Sequence, residues 1–298
     1  MRAMWTRFID AVLDYRHRFA KQKRYYHTGR GTADAKLIGL LRIRNESLII
    51  QDTLDHLSTF CDGVLCYDDA STDETLEIIR NHPAVWGIIR NYAWKQTIDE
   101  RLDCETQDRL ALLNFARTFN PEWVMCADAD ERFVGDIRGF LTSPASNHAD
   151  AVRIQLLDAY MTPDDHRPYQ KGDSLLNFRK KFGIEQRNIL MLWRCNENFS
   201  YVGQDQREPT IVQGEPRIVT EFHCQHYGKA ISIQQWEETC DYYVKYFPFE
   251  TYGKKWQARK GKAIHEQSDF ETELHDWPEV LKHGKQIHPP VVNPTLTS

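Results

Sequence analysis

Residues 123–133 read WVMCADADERF, and the reading of this stretch decides the fold. The apolar run Trp123-Val124-Met125-Cys126-Ala127 ends abruptly in Asp128-Ala129-Asp130-Glu131. Apolar β-formers followed by clustered acids predict a buried strand that delivers carboxylates to its exposed carboxyl end. In open α/β sheets, ligands bind at that end. Three acids within four residues repel one another unless positive charge sits among them. A hard divalent cation with oxygen ligands, Mg²⁺ or Mn²⁺, would supply that charge. Taken alone, the stretch also reads as a solvated acidic turn.

The flanking pattern favours the strand. Leu37–Ile43 (LIGLLRI) reads as a strand, and Asn45 and Glu46 open a helix running to about Phe60. Val64–Tyr67 (VLCY) is the next strand and ends in Asp68-Asp69-Ala70-Ser71-Thr72-Asp73. Ser71 or Thr72 then caps a helix over Glu74–Arg80. Val85–Arg90 is a third strand, Glu105–Thr118 a helix, and Trp123–Ala127 the fourth strand. This alternation predicts a mainly parallel sheet with right-handed crossovers. Beyond Asp136, Ala151–Leu157 and Ile189–Arg194 read as strands, 162–188 as a polar loop region, and Gln234–Tyr246 as a helix. The tail from His288 is too rich in proline and polar residues for a core element.

The 298 residues suffice for one large α/β domain or two small ones. A net charge of −5 argues against nucleic acid as a partner, and no aromatic-basic interleaving marks a face for it. No apolar run approaches the ~18 residues of a membrane span. The N-terminus has no apolar signal-peptide core, so secretion is not expected. The seven cysteines are scattered, odd in number and without a CxxC pair, as expected of reduced thiols in a cytoplasmic protein. His223-Cys224-Gln225-His226 lacks the second ligand cluster of a structural zinc site. Residues 1–30 carry eight basic residues and two acids, a formal +6, with Trp5, Phe8, Ile9, Val12 and Phe19 at helical spacing. Such a basic amphipathic helix either packs on the main domain or makes peripheral contact with an anionic membrane.

Three strand ends thus meet at one rim, bearing Arg44-Asn45-Glu46, Asp68-Asp69 and Asp128-Ala129-Asp130-Glu131. Each has a bland explanation: an N-cap, a turn, a solvated corner. Their occurrence at successive βα junctions points to a site. There is no GxGxxG and no GxxxxGK[ST], so a nucleotide's phosphates would be neutralised by a metal held by acids rather than cradled by a glycine loop.

Together, RNES (44–47), DDASTDET (68–75) and WVMCADADERF (123–133) resemble the nucleotide-sugar half of family 2 glycosyltransferases with the GT-A fold. The resemblance covers residues 36–135 well and 136–230 loosely. It implies a Rossmann-like, mainly parallel sheet flanked by helices. It also implies transfer of a hexosyl or N-acetylhexosaminyl group, with inversion, from a nucleoside diphosphate sugar, foremost a UDP-sugar, to a glycan or other hydroxyl acceptor. Asp69, or its neighbour Asp68, would bind the nucleotide base. Arg44 stands where many relatives stack an aromatic residue on uracil, and a guanidinium plane can stack there instead. Asp128 would lie near the ribose and metal, Asp130 would coordinate Mn²⁺ or Mg²⁺, and Arg109 matches a basic position near the donor. In YVGQDQREP (201–209), Glu208, with Asp205 second, would be the catalytic base. His226 in HCQHYG (223–228) would join the metal. As bland alternatives, Arg109, Asp205 and Glu208 read as surface residues, and His226 as a buried, hydrogen-bonded histidine.

The expected organisation is a basic helical extension (1–35), a glycosyltransferase domain (36–232) with donor (36–135) and acceptor (136–232) halves, and a helical C-terminal extension with tail (233–298). Two rivals remain. In a haloacid-dehalogenase-type phosphatase, Asp128 would be the nucleophile and Asp130 the acid/base, although Arg132 stands where such enzymes carry a small hydroxyl residue or valine. The other rival is a sugar-nucleotide-binding protein without turnover.

Overall fold

A computed structural model describes residues 13–14, 16–17, 23–165 and 167–287. The strands are β1 (Arg24–His27), β2 (Leu37–Ile43), β3 (Gly63–Asp69), β4 (Val85–Asn91), β5 (Trp123–Ala127), β6 (Glu131–Val134), β7 (Ala151–Tyr160), β8 (Lys181–Arg194), β9 (Phe199–Ser200), β10 (Thr210–Ile211), β11 (Ile218–His226), β12 (His275–Asp276) and β13 (Lys285–Gln286). The helices are α1 (Ile50–Leu57), α2 (Thr75–Asn81), α3 (Ile98–Arg117), α4 (Ile137–Thr142), α5 (Ile233–Tyr246), α6 (Lys254–Arg259) and α7 (Trp277–His283). One large sheet runs in the order β1-β4-β3-β2-β5-β8-β7-β11-β6, with β12 and β13 added to β8.

Strands β4, β3, β2 and β5 are mutually parallel, the expected α/β core. Their residues are apolar almost throughout because both faces are covered. Alternation still sorts them: Leu37, Leu41 and Ile43 of β2 face one core, while Ile38 and Leu40 face the core that includes Leu112 and Phe115 of α3. Strand β8 enters antiparallel to β5, and β7 pairs antiparallel with β8, so β7 runs parallel to β5. Strand β11 runs parallel to β7, and β6 pairs antiparallel with β11. The carboxyl ends of β2, β3, β5, β7 and β11 therefore open on one rim.

Several boundaries depart from the sequence reading. Helix α3 begins at Ile98 rather than Glu105, because Arg101 and Glu105 pair across one turn and the segment packs over β2 and β3. Strand β8 begins at Lys181, inside the expected loop, its polar Glu185 being satisfied by Ser268 and Thr272. Neither Ser71 nor Thr72 caps α2; the Asp73 carboxylate accepts from the Thr75 amide instead. The basic segment is not helical throughout: Arg24–His27 is an edge strand on β4. Most of the expected amphipathic helix, and the tail from His288, lie outside the described residues.

Gly63 opens β3 where a Cβ would stand 2.1 Å from the buried indole of Trp86. Gly63→Ala is expected to lower stability by about 1–3 kcal/mol, the usual range for overpacking. Urea unfolding checks this through a lower midpoint at unchanged slope.

Candidate functional site

The loops after β2 and β3 are zipped together. The Asn45 amide donates to Ser71 Oγ (2.9 Å), and Asn45 Oδ1 accepts from the Thr72 amide (2.8 Å). The Glu46 amide donates to Thr75 Oγ1 (2.8 Å). Asn45 holds φ 55°, a left-handed conformation that asparagine tolerates. Arg44 donates to the carbonyls of Asp69 (2.7 Å) and Ala70 (2.6 Å), and its guanidinium stacks on Trp94 at 4.1 Å. Its stacking partner is thus an indole of this chain.

The two aspartates at the end of β3 are sealed. Asp68 pairs with Arg90 and accepts from the Ser71 amide (3.0 Å). Asp69 is 1% exposed and accepts from Asn91 (2.8 Å), Arg101 (2.9 Å) and Arg42 (3.1 Å). Burial opposes its charge, but Arg42 and Arg101 hold it below the usual carboxylate range. Neither carboxylate presents a free edge to a base, so the expected Asp69–base contact requires these partners to move. Arg101, Glu105 and Asp108 share one face of α3 at i, i+4 and i+7, and Arg42 bridges Asp69, Glu105 and Asp108.

At the end of β5 the acids separate by partner. Asp128 accepts from Arg207 (2.6 Å) and Arg109 (3.3 Å), which depress its pKa against the effect of burial. Glu131 is 2% exposed, takes Arg207 at 2.6 and 2.7 Å, and accepts from the Asp128 amide (2.8 Å). Burial raises its pKa, and Asp128 and Asp130 add to the rise. Half-buried Glu46 is raised for the same two reasons, desolvation and then Asp130 and Asp128.

Arg132 is fully buried and clamps the acidic turn from behind. It donates to Asp52 (2.7 Å), Thr53 Oγ1 (3.1 Å) and the carbonyl of Ala129 (2.9 Å). Arg132→Leu strands the Asp52 carboxylate and is expected to cost about 3–5 kcal/mol, the range for breaking a buried pair. Guanidinium unfolding is the check; a loss under about 1 kcal/mol would be that of an exposed pair.

Asp130 faces His226 from the end of β11, with Oδ2 3.4 Å from Nε2. The other ring nitrogen meets Asp158 Oδ1 at 2.6 Å, at the end of β7. Burial disfavours the imidazolium, yet Asp130 and then Asp158 push its pKa up to about 10. The proton stands between two carboxylates, where a cation would be equally welcome. A Cβ on Gly228 would come 2.9 Å from Asp130 Oδ2 and 3.0 Å from His226 Nε2, so glycine keeps the approach to this pair open. Asp130 and His226 thus fit two positions of a divalent cation, with Asp158 orienting the imidazole from outside. Asp128 does not complete the set, its oxygens being engaged by arginines. Among the described residues, no three His, Cys, Asp or Glu side chains group to hold a metal.

The segment 201–210 runs along α3. The Asp205 amide donates to the Leu102 carbonyl (3.0 Å) and the Gln206 amide to Thr106 Oγ1 (3.1 Å). Arg207 reaches the acidic rim, whereas Asp205 accepts from the Tyr252 hydroxyl (2.6 Å) and Glu208 pairs with Arg153 (2.9 Å). Of the site residues read from the sequence, nine gather at the rim; Asp205 and Glu208 bond instead to Tyr252 and Arg153. Sequence reasoning missed Arg42, Trp94, Arg101, Asp158 and Arg207. Asp158 was legible, since it directly follows the expected strand Ala151–Leu157. Arg207 gave no signal.

No family model matches the chain. It is 37% identical over 101 residues to uncharacterized proteins of Mycobacterium tuberculosis and Mycobacterium bovis. The match takes in 32% of this chain and 23% of each relative, so the chain spans under a quarter of their length. Among solved structures it is similar to S. aureus TarS in complex with UDP-GlcNAc, at 14% identity and TM-score 0.39, over 76% of this chain and 72% of that one. It is also similar to the mannosyltransferase PcManGT from Pyrobaculum calidifontis, in complex with GDP-Man and Mn²⁺, at 16% identity and TM-score 0.37, over 77% and 70%. HddC from Yersinia pseudotuberculosis matches at 11% identity and TM-score 0.34, over 64% and 93%. No helix among the described residues is long and apolar enough to cross a membrane.

Proposed function

We propose that this chain is a glycosyltransferase of the GT-A type, moving a hexosyl or N-acetylhexosaminyl group from a nucleoside diphosphate sugar to an acceptor hydroxyl. The observation that carries the reading is the open Asp130–His226 pair, set at a strand-end rim beside Asp128 and Arg44 of the loop after β2. Asp130 and His226 would hold Mn²⁺ or Mg²⁺. When bound, the cation stabilises negative charge on the leaving diphosphate.

The chain's own residues divide the remaining work. Arg109 and Arg207 fix the Asp128 carboxylate, which would meet the ribose. Arg44 on Trp94 offers a planar cation toward the base. Glu208, with Asp205 as second candidate, accepts the proton of the attacking hydroxyl, giving inversion through an oxocarbenium-like transition state. On this reading 36–135 is the donor half and 136–232 the acceptor half. Seven free cysteines, three of them (Cys66, Cys126 and Cys224) in the large sheet, suit the cytoplasm. The phosphatase reading is disfavoured because Asp128, its nucleophile, is held by two arginines.

A thermal-shift panel of UDP- and GDP-sugars with and without Mn²⁺ tests the reading. Stabilisation by one donor, dependent on the metal, is expected from mass action. A flat panel together with turnover of an aryl phosphate would replace it.

A further inference from the structure

Beyond the Asp130–His226 pair, a bonded chain of charges continues into the second half of the molecule. Asp158 takes His226 (2.6 Å) and Arg187 (2.5 Å) on one oxygen and Lys229 (2.7 Å) on the other. Lys229 also meets Asp269 (2.5 Å), which pairs with Arg259 of α6. Lys255 lies one helical turn before Arg259, on the same face of α6. Three of these cations (Arg187, Lys229 and Arg259) pair with two carboxylates, Asp158 and Asp269, and Lys255 adds a fourth positive charge on the helix face of Arg259. The excess cation is Lys255: it is exposed and has no hydrogen-bond or ion-pair partner among the described residues. Partial burial and the charges of Arg259, Lys229 and Arg187 depress its pKa, the response of a cation facing cations. The arrangement lacks an anion, and Lys255 and Arg187 are the members accessible to one from solution.

We propose that Lys255, Arg187 and Arg259 form a recognition site for an anionic group, phosphate or carboxylate, carried by the acceptor. The assignment to the acceptor rests on the glycosyltransferase reading. The residues expected to bind the donor's base, ribose and metal come from strand ends before residue 131, together with α3 and His226. The cation cluster comes entirely from residues after 150. It adjoins the transfer site through His226, which meets Asp158 (2.6 Å) and Arg187 (3.3 Å), so an anion held there would set its hydroxyl beside the reacting centre without competing for the donor's phosphates.

Calorimetry on the full chain tests this with glycerol phosphate against glycerol and with glucuronate against glucose, each alone and with UDP or GDP plus Mn²⁺. At least one anionic probe is expected to bind about tenfold tighter than its neutral counterpart. Preference for glycerol phosphate or for glucuronate identifies the anion. Lys255→Glu is expected to abolish the preference while leaving nucleotide affinity within about twofold. Equal binding of charged and neutral probes overturns the proposal, as does a preference that survives in Lys255→Glu. Displacement of the anionic probe by UDP or GDP also overturns it, assigning the cations to the donor diphosphate. If neither nucleotide binds while the Lys255-dependent preference holds, the donor reading fails and the anion site stands.

Discussion

Asp130→Ala is expected to abolish metal-dependent donor binding and with it measurable transfer. Among the described residues no arginine pairs with Asp130, and it faces His226 across the gap kept clear by Gly228. Asp128, two residues earlier, cannot replace it without surrendering Arg109 and Arg207. Gly228→Ala provides a second measurement that leaves both ligands in place: its Cβ would crowd Asp130 and His226 from 2.9 and 3.0 Å and should weaken metal-dependent affinity by about tenfold or more. Calorimetry with UDP or GDP, with and without Mn²⁺, reads both variants. Unchanged metal-dependent affinity in Asp130→Ala would remove the metal role.

Glu208→Gln is expected to lower turnover by about 10²–10⁴-fold, the usual contribution of a general base. Donor affinity should be unchanged, because Glu208 lies outside the donor rim and is held by Arg153. Glutamine keeps the shape and a hydrogen-bond acceptor but cannot take up the hydroxyl proton. Asp205→Asn is the control. Burial raises the Asp205 pKa, and Glu105 adds to the rise while Tyr252 opposes it. A large loss in Asp205→Asn with none in Glu208→Gln would transfer the base role to Asp205.

The parallel core was legible because burial on both faces leaves a one-dimensional trace: uninterrupted apolar runs at β2, β3, β4 and β5, each ending in a polar cluster. Trp123–Ala127 was read to the residue, since its apolar run stops at the first of three clustered acids. Strand β8 was legible only in its second half. Its first half, Lys181–Asn188, carries polar side chains satisfied by Ser268, Thr272 and Asp158, partners remote in sequence. The N-terminal extension was read as helix from its apolar spacing, but edge-strand pairing to β4 claims Arg24–His27.

Local sequence determined which residues arrive at the rim, because strand ends and βα junctions follow from hydrophobic pattern alone. It placed Arg44, Asp69, Asp128 and Asp130 at the carboxyl end of one sheet. Tertiary structure decided what each charge does there. Asp69 is closed off by Arg42, Arg101 and Asn91, Asp128 is claimed by Arg109 and Arg207, and Asp130 is left to His226. Neighbouring aspartates are equivalent in a one-dimensional reading. They become distinct only when partners remote in sequence fix which one is neutralised by arginine and which stays open to a cation.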